Sequence, residues 1–194
     1  MKILQRVINT ATKPKTEWPI IAEESATVGT LMTGFVVPLA AIAPVCGFLQ
    51  ALIFTSALGV CPPIGLSFAG MIVGYLLTLA GVYLTAFIVY KLAPTFQSSG
   101  DMAQALKIVA YAQAPYWVAG VLSLVPFLGI LTIFVGLYGL YLAYLGLPPV
   151  MKTPPDKAIP YLVVVIVISI LIWIVIGAVT AGIIGVGLVS GGGI

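Results

Sequence analysis

The chain has 194 residues, of which 61% are hydrophobic and only 7% are charged, and its net charge is +3. Soluble domains carry about 25% charged residues, so this composition excludes an ordinary soluble domain and indicates a membrane protein. The chain has no histidine, and Cys46 and Cys61 do not lie at metal-ligand spacing. No spacing matches a metal or nucleotide motif, so we expect no metal, no cofactor and no nucleic-acid partner.

The amino-terminal segment combines a short helical pattern with a charged connector. Residues 1–12 predict an amphipathic helix with a basic polar face that includes Arg6, and its apolar side carries Ile3, Leu4, Val7 and Ile8. Such a helix is suited to lie in the headgroup layer of an anionic leaflet. In the connector, Trp18 near Lys13 and Lys15 is typical of a membrane-interface anchor.

Five apolar stretches predict an all-α membrane protein with five transmembrane helices. We expect the spans at residues 31–54, 67–90, 105–125, 127–146 and 161–188. Pro38 and Pro44 predict a kink or a break in the first span. A single helix from Ile108 to Gly146 would be about 60 Å long, roughly twice the hydrocarbon thickness, so we expect a turn at Pro126. The chain then divides into an interfacial segment, a membrane domain and a glycine-rich tail, at residues 1–30, 31–188 and 189–194.

The connections between the later spans carry helix-start and helix-stop signals. Asp101 and Gln104 resemble a capping box that opens the third span. Residues 147–160 are expected to return to water, where Thr153 begins a short helix that Pro160 limits.

The predicted fourth span has a face of small residues. It is formed by Gly129, Thr132, Gly136, Gly139, Ala143 and Gly146, which recur at helical spacing. Small residues let a second helix backbone come close, so this face predicts helix packing in the bundle or between copies of the chain. A neighbouring stripe carries Phe134, Tyr138, Tyr141 and Tyr144.

The placement of charge predicts the orientation. With five spans and a cytoplasmic amino terminus, all eight basic and all five acidic residues lie on the cytoplasmic side and the carboxyl terminus lies outside. A four-span arrangement would put Lys152 and Lys157 outside. Lys107 lies two turns inside the third span, so its ammonium is expected to extend to the interface. Gln113 is the strongly polar side chain near mid-membrane in this helix.

Three stretches resemble a known family. GLYGLYLAYLGLPPVMKTPPDKA, residues 136–158, resembles the signature of the Yip family of integral membrane proteins, and residues 13–45 and 105–122 are similar to prokaryotic members. The resemblance implies a five-span protein of a prokaryotic cytoplasmic membrane. Eukaryotic relatives interact with Ypt/Rab-type small GTPases and carry a longer amino-terminal region, whereas this chain has only about 30 residues there, so whether GTPase binding carries over stays open.

These patterns leave two functions open. The first is a non-enzymatic adaptor or organising protein, with membrane lipids, a second copy and a cytoplasmic protein as partners. Its candidate contact residues lie on the cytoplasmic face: Lys13, Lys15, Glu17, Trp18, Lys107, Lys152, Asp156 and Lys157. Opposite charges predict that Glu17 pairs with Lys152 or Lys157. The alternative is binding or passage of a lipid or small molecule through the bundle, at Gln113, Tyr138 and Tyr141.

Overall fold

The structure, a computed structural model, describes residues 3–57, 64–125 and 127–191. The described chain is helical and contains no strand, so the prediction of an all-helical fold is confirmed. Its α-helices are α1 Ile3–Thr12, α2 Pro14–Glu23, α3 Val28–Leu31, α4 Val37–Ala40, α5 Ile42–Ala57, α6 Ile64–Leu92, α7 Met102–Ala119, α8 Leu131–Met151 and α9 Pro155–Gly191. The predicted turn at Pro126, Cys61 with the Pro62–Pro63 turn, and residues 192–194 of the tail lie outside the described residues.

Within the described residues, four helical stretches are long and apolar enough to cross a membrane. They are Val28–Phe54, Ile64–Phe96, Leu128–Met151 and Pro155–Gly182. These stretches overlap the first, second, fourth and fifth predicted spans. The third predicted span corresponds to α7, which carries Lys107 and Gln113 and is less apolar. The count of five therefore stays a prediction.

The first membrane stretch is broken, as its prolines predicted. A π-helical turn at Met32–Val36 separates α3 from α4, and a turn at Ala41 separates α4 from α5. Pro38 has no N–H for the helical ladder, and carbonyls freed at such breaks need other donors. The hydroxyl of Tyr75 on α6 donates to the Val37 carbonyl at 2.8 Å, so a side chain of a neighbouring helix supplies a hydrogen bond at the break.

Helix α7 lies at the centre of the fold. An unbroken run from Ala105 to Ala112 is buried, and α7 packs on α8, α6 and the broken first stretch. The capping box predicted at Asp101 is confirmed, because Asp101 accepts from the Gln104 N–H at 2.8 Å and the Gln104 side chain accepts from the Asp101 N–H at 3.0 Å. Because α7 faces mainly protein, it tolerates polar side chains that a lipid-facing helix would not.

The connection from α8 to α9 is shorter than predicted. Helix α8 continues through its prolines to Met151, and α9 starts at Pro155 and runs through Pro160. The prediction that Pro160 limits a short helix is wrong, because one missing N–H six residues into a long helix removes a single ladder bond. Helix α9 extends to Gly191 and so includes the first residues of the predicted glycine-rich tail.

Helix α9 is held mainly against α6. The Tyr161 hydroxyl donates to the Val89 carbonyl, and the Tyr161 ring stacks on Phe96 with centroids 4.7 Å apart. Further along, a Cβ added at Gly81 would lie 2.8 Å from the Ile176 side chain, so the two helices are in close contact there. This arrangement leaves space between α8 and α9.

Candidate functional site

A cavity of about 470 Å³ lies between α6, α7, α8 and α9. Its wall on α8 includes Gly136, Gly139 and Ala143, where the small side chains leave room, and its wall on α9 includes Ile166 and Trp173. The exposed side chains of Leu137 and Ile170 stand at its rim. The cavity is therefore apolar and opens toward the surface that α8 and α9 present to lipid.

Polar groups in this cavity are few. Thr85 and Ser169 donate their hydroxyls to backbone carbonyls of their own helices, at 2.8 Å and 2.7 Å. Gln113 also lines the cavity, and within the described chain its side-chain amide has no hydrogen-bond partner. The partly buried amide thus remains available to a molecule in the cavity.

Two glycines of the small-residue face pack inside the molecule. A Cβ at Gly139 would lie only 2.8 Å from the carbonyl oxygen of Ala112, so this glycine sets the close approach of α7. A Cβ at Gly146 would lie 2.9 Å from the Trp18 ring. At these two positions the close neighbours belong to the same chain, and the helix-packing face as a whole stays a prediction.

A charge cluster, formed by the buried Arg6, Glu17 and Lys107 and the partly exposed Glu24, joins α1, α2 and α7. Arg6 donates through Nη1 to Glu17 at 2.7 Å and through Nη2 to Glu24. Burial alone lowers the pKa of Arg6, but the hydrogen bond to Glu17 and the charge of Glu24 outweigh it and raise that pKa above its ordinary value. The prediction that Glu17 pairs with Lys152 or Lys157 is wrong, because the guanidinium of Arg6 forms the ion pair with Glu17.

Lys107 is buried beneath the amino-terminal segment. Its side chain is buried, at 3% exposure, and its ammonium donates to the carbonyls of Ile21 at 2.8 Å and of Glu24. These carbonyls end α2, where the helix dipole favours a positive charge. Lys107 therefore anchors the amino-terminal segment to the central helix.

Trp18 is a core residue. It is 1% exposed and packs edge-on against Tyr111, with ring centroids 6.4 Å apart, and against Gly146. The prediction of a membrane-interface anchor is wrong for this residue, because α2 folds its apolar side onto α8 instead of onto lipid. The indole N–H of Trp18 has no hydrogen-bond partner in the described structure.

The other predicted residues fall in separate places. Lys13 and Lys15 line a notch of about 450 Å³ with Tyr138 and Tyr141, so these tyrosines are not part of the cavity that holds Gln113. Asp156 and Lys157 lie 3.7 Å apart near the start of α9, both partly exposed. Lys152 is exposed and ends α8 in the left-handed conformation, with φ 51°.

Sequence reasoning missed two members of the charge cluster. Arg6 was assigned to a headgroup-facing polar side, and Glu24 was not selected. A signal was present, since Arg6 is the single arginine of the chain and Glu17 and Glu24 are seven residues apart, on one face of a helix. Arginine presents a rigid fork of donors suited to two carboxylates.

Comparison with known families gives one match. The model of the Yip1 domain family matches residues 8–189, which is nearly the whole chain. No curated protein and no solved structure matches the chain.

Proposed function

This chain belongs to the Yip1 domain family and is an integral membrane protein, and we propose that it binds a membrane amphiphile in the cavity between α6, α7, α8 and α9. One observation supports this function above the others: an apolar cavity opens toward lipid and contains the unpaired amide of Gln113. The occupant has a long apolar body and one hydrogen-bonding group.

The size of the cavity suits such a molecule. Its 470 Å³ lies within the range of roughly 300–1,000 Å³ that ligand pockets occupy. The wall on α8 runs from Gly136 to Leu147, about 16 Å along the helix, or roughly half of a hydrocarbon core. An acyl or isoprenoid chain fills a slot of this shape without displacing bulk water.

The amide of Gln113 specifies the polar group. A polar group in hydrocarbon without a hydrogen-bond partner costs several kcal/mol, on the order of 2–7. A ligand hydroxyl or carbonyl beside Gln113 removes this cost. Eleven residues after Met102, Gln113 lies about 16 Å along α7.

This function is proposed with the five-span topology. Helix α7 then crosses the membrane as the third span, shielded by its neighbours, with the amino terminus cytoplasmic and the carboxyl terminus outside. The positive-inside rule supports this orientation, because all eight basic residues then lie on one side. We assign the protein to a prokaryotic cytoplasmic membrane on the similarity of its opening and middle segments to prokaryotic members.

A non-enzymatic organising role is the second candidate. Its support is the amino-terminal segment, which Arg6 and Lys107 fasten to the bundle as a structured surface that a cytoplasmic protein could contact. Gly139 and Gly146 already contact Ala112 and Trp18 of the same chain. A homo-oligomer would therefore form through other surfaces, such as the exposed side of α9.

Native mass spectrometry of protein extracted in gentle detergent tests the cavity. We expect the wild-type protein to retain one tightly bound amphiphile. Ala143→Phe fills the cavity from α8 and should lower the occupied fraction at least tenfold, and Gln113→Leu should lower it for ligands with a hydroxyl or carbonyl. Ala178→Phe on the exposed side of α9 is the matched control. Equal retention in all variants contradicts the proposal.

A further inference from the structure

A second site lies on the opposite side of α8, where the junction of α1 and α2 meets the tyrosines of that helix. The notch of about 450 Å³ is lined by Thr12, Lys13, Pro14, Lys15, Thr16, Tyr138 and Tyr141. The Tyr138 hydroxyl donates to the Ala11 carbonyl at 2.7 Å and so fixes the junction on α8. The notch is therefore a built feature of the fold.

The charged residues that line the notch are both lysines, so the notch is positively charged. Lys13 and Lys15 are both exposed, and neither forms an ion pair within the described chain. No acidic residue is among the described residues that line it. The adjacent Glu17 is buried and already bound by Arg6, so it does not neutralise the lysines. The two ammonium groups thus stand free to bind an anion.

An apolar track leads to this notch along α8. Ile130, Phe134, Leu137 and Tyr141 recur at i, i+4, i+7 and i+11 and share one face of the helix. Phe134 is 65% exposed and Leu137 59%, while Tyr141 ends the track at the notch. Beyond Tyr141 the helix is covered largely by the rest of the chain. A tyrosine between an apolar face and lysines is typical of the membrane–water interface.

We propose that this notch binds the phosphate of an anionic phospholipid of the cytoplasmic leaflet. The ammonium groups of Lys13 and Lys15 bind the phosphate oxygens, and the Tyr141 hydroxyl donates to the headgroup. The acyl chains lie along Phe134 and Ile130. Lipid is the source of the phosphate because the cationic notch and the exposed apolar track are continuous on one surface, which matches both ends of a phospholipid. The proposal rests on α8 crossing the membrane and is independent of the Gln113 cavity.

Native mass spectrometry with defined lipids tests the site. The protein is exchanged into detergent, titrated with phosphatidylglycerol or phosphatidylcholine, and the dissociation constant of the first bound lipid is measured. Phosphatidylglycerol should bind at least tenfold more tightly. The double variant Lys13→Gln/Lys15→Gln should weaken phosphatidylglycerol binding by about thirtyfold, the loss expected for two charges at an anionic surface, with little change for phosphatidylcholine.

The control removes two lysines elsewhere. Lys152→Gln/Lys157→Gln changes the net charge equally but leaves the notch intact and should keep wild-type affinity. Lys13→Arg/Lys15→Arg should also retain it. Equal weakening in the control, no preference for phosphatidylglycerol, or full competition by millimolar inorganic phosphate each overturns the proposal. The Ala143→Phe variant should leave this binding unchanged, so the two sites fail separately.

Discussion

Arg6 on α1 binds Glu17 on α2 through an Nη1–Oε1 contact of 2.7 Å, and both side chains are buried. The same guanidinium also binds Glu24, so one arginine holds two carboxylates at the end of the bundle. Removing Arg6 leaves the buried Glu17 carboxylate unpaired, which costs more than the pair contributes. This contact keeps the amino-terminal segment in place against α7 and α8.

A double-mutant cycle should detect this pair. Arg6→Leu is expected to destabilise the protein by about 3–5 kcal/mol, because it leaves the buried Glu17 carboxylate unpaired. Glu17→Leu should cost less, since Arg6 keeps its contact with Glu24, and the double variant should cost less than the sum of the two. The measurement is thermal unfolding in detergent, followed by circular dichroism. A parallel cycle between Glu17 and Lys152 should show no coupling, and coupling of similar size there would contradict the assignment.

Lys107 should control the order of the end of α2. Lys107→Met keeps the length of the side chain but removes the donor to the Ile21 and Glu24 carbonyls, so a loss of about 1–3 kcal/mol is expected. Hydrogen exchange of residues 18–27 should accelerate, while exchange in α9 stays the same. Lys152→Met, at an exposed lysine, serves as the control. Unchanged protection of residues 18–27 would show that these bonds do not hold the segment.

Two glycines of α8 should differ in their tolerance of alanine. A Cβ at Gly139 would lie 2.8 Å from the backbone oxygen of Ala112, which cannot move without separating the helices, whereas one at Gly136 would lie 3.8 Å from the Tyr116 ring. Gly139→Ala should therefore cost about 1–3 kcal/mol, and Gly136→Ala should be nearly neutral. Gly177 has open space around the position of an added Cβ, so Gly177→Ala serves as a control that should introduce no clash. Equal melting temperatures for all three would contradict the close packing of α7 on α8.

The sequence predicted the helices better than their contacts. Apolar length and proline positions are local, so the helical class, the break near Pro38 and the Asp101 cap were predicted correctly. Lys107 and Trp18 were placed at the interface because their residue types favour it, but the fold buries both. Burial depends on which distant segment covers a residue, and residues 14–23 cover α8 from more than a hundred positions away.

For the candidate sites too, the sequence selected residues but did not predict their neighbours. Gln113 could be selected from its polarity in an apolar helix, and it does line the cavity. The sequence grouped Tyr138 and Tyr141 with Gln113 as polar groups of apolar spans, yet the two tyrosines line a different pocket, on the other side of α8. Depth can be read from position along a helix, whereas the rotation of α8 relative to α7 follows from the Gly139–Ala112 contact.

Trp18 and Gly146 should behave as a complementary pair. A Cβ at Gly146 would lie 2.9–3.0 Å from three atoms of the Trp18 ring, and the ring is fully enclosed, so it has little room to yield. Gly146→Ala should lower stability by about 1–3 kcal/mol through overpacking. Trp18→Leu should cost more, roughly 3–5 kcal/mol, because it leaves a cavity.

The combination of these changes separates a core role from an interface role. In the Trp18→Leu background the shorter side chain leaves space for a methyl group, so adding Gly146→Ala should cost nothing or restore part of the stability. Thermal unfolding of the four proteins in detergent measures this coupling. Additive losses would mean that the two residues do not touch. If Trp18→Leu leaves stability unchanged but weakens the binding of the amino-terminal segment to bilayers, Trp18 acts as a membrane-interface anchor and not as a core residue.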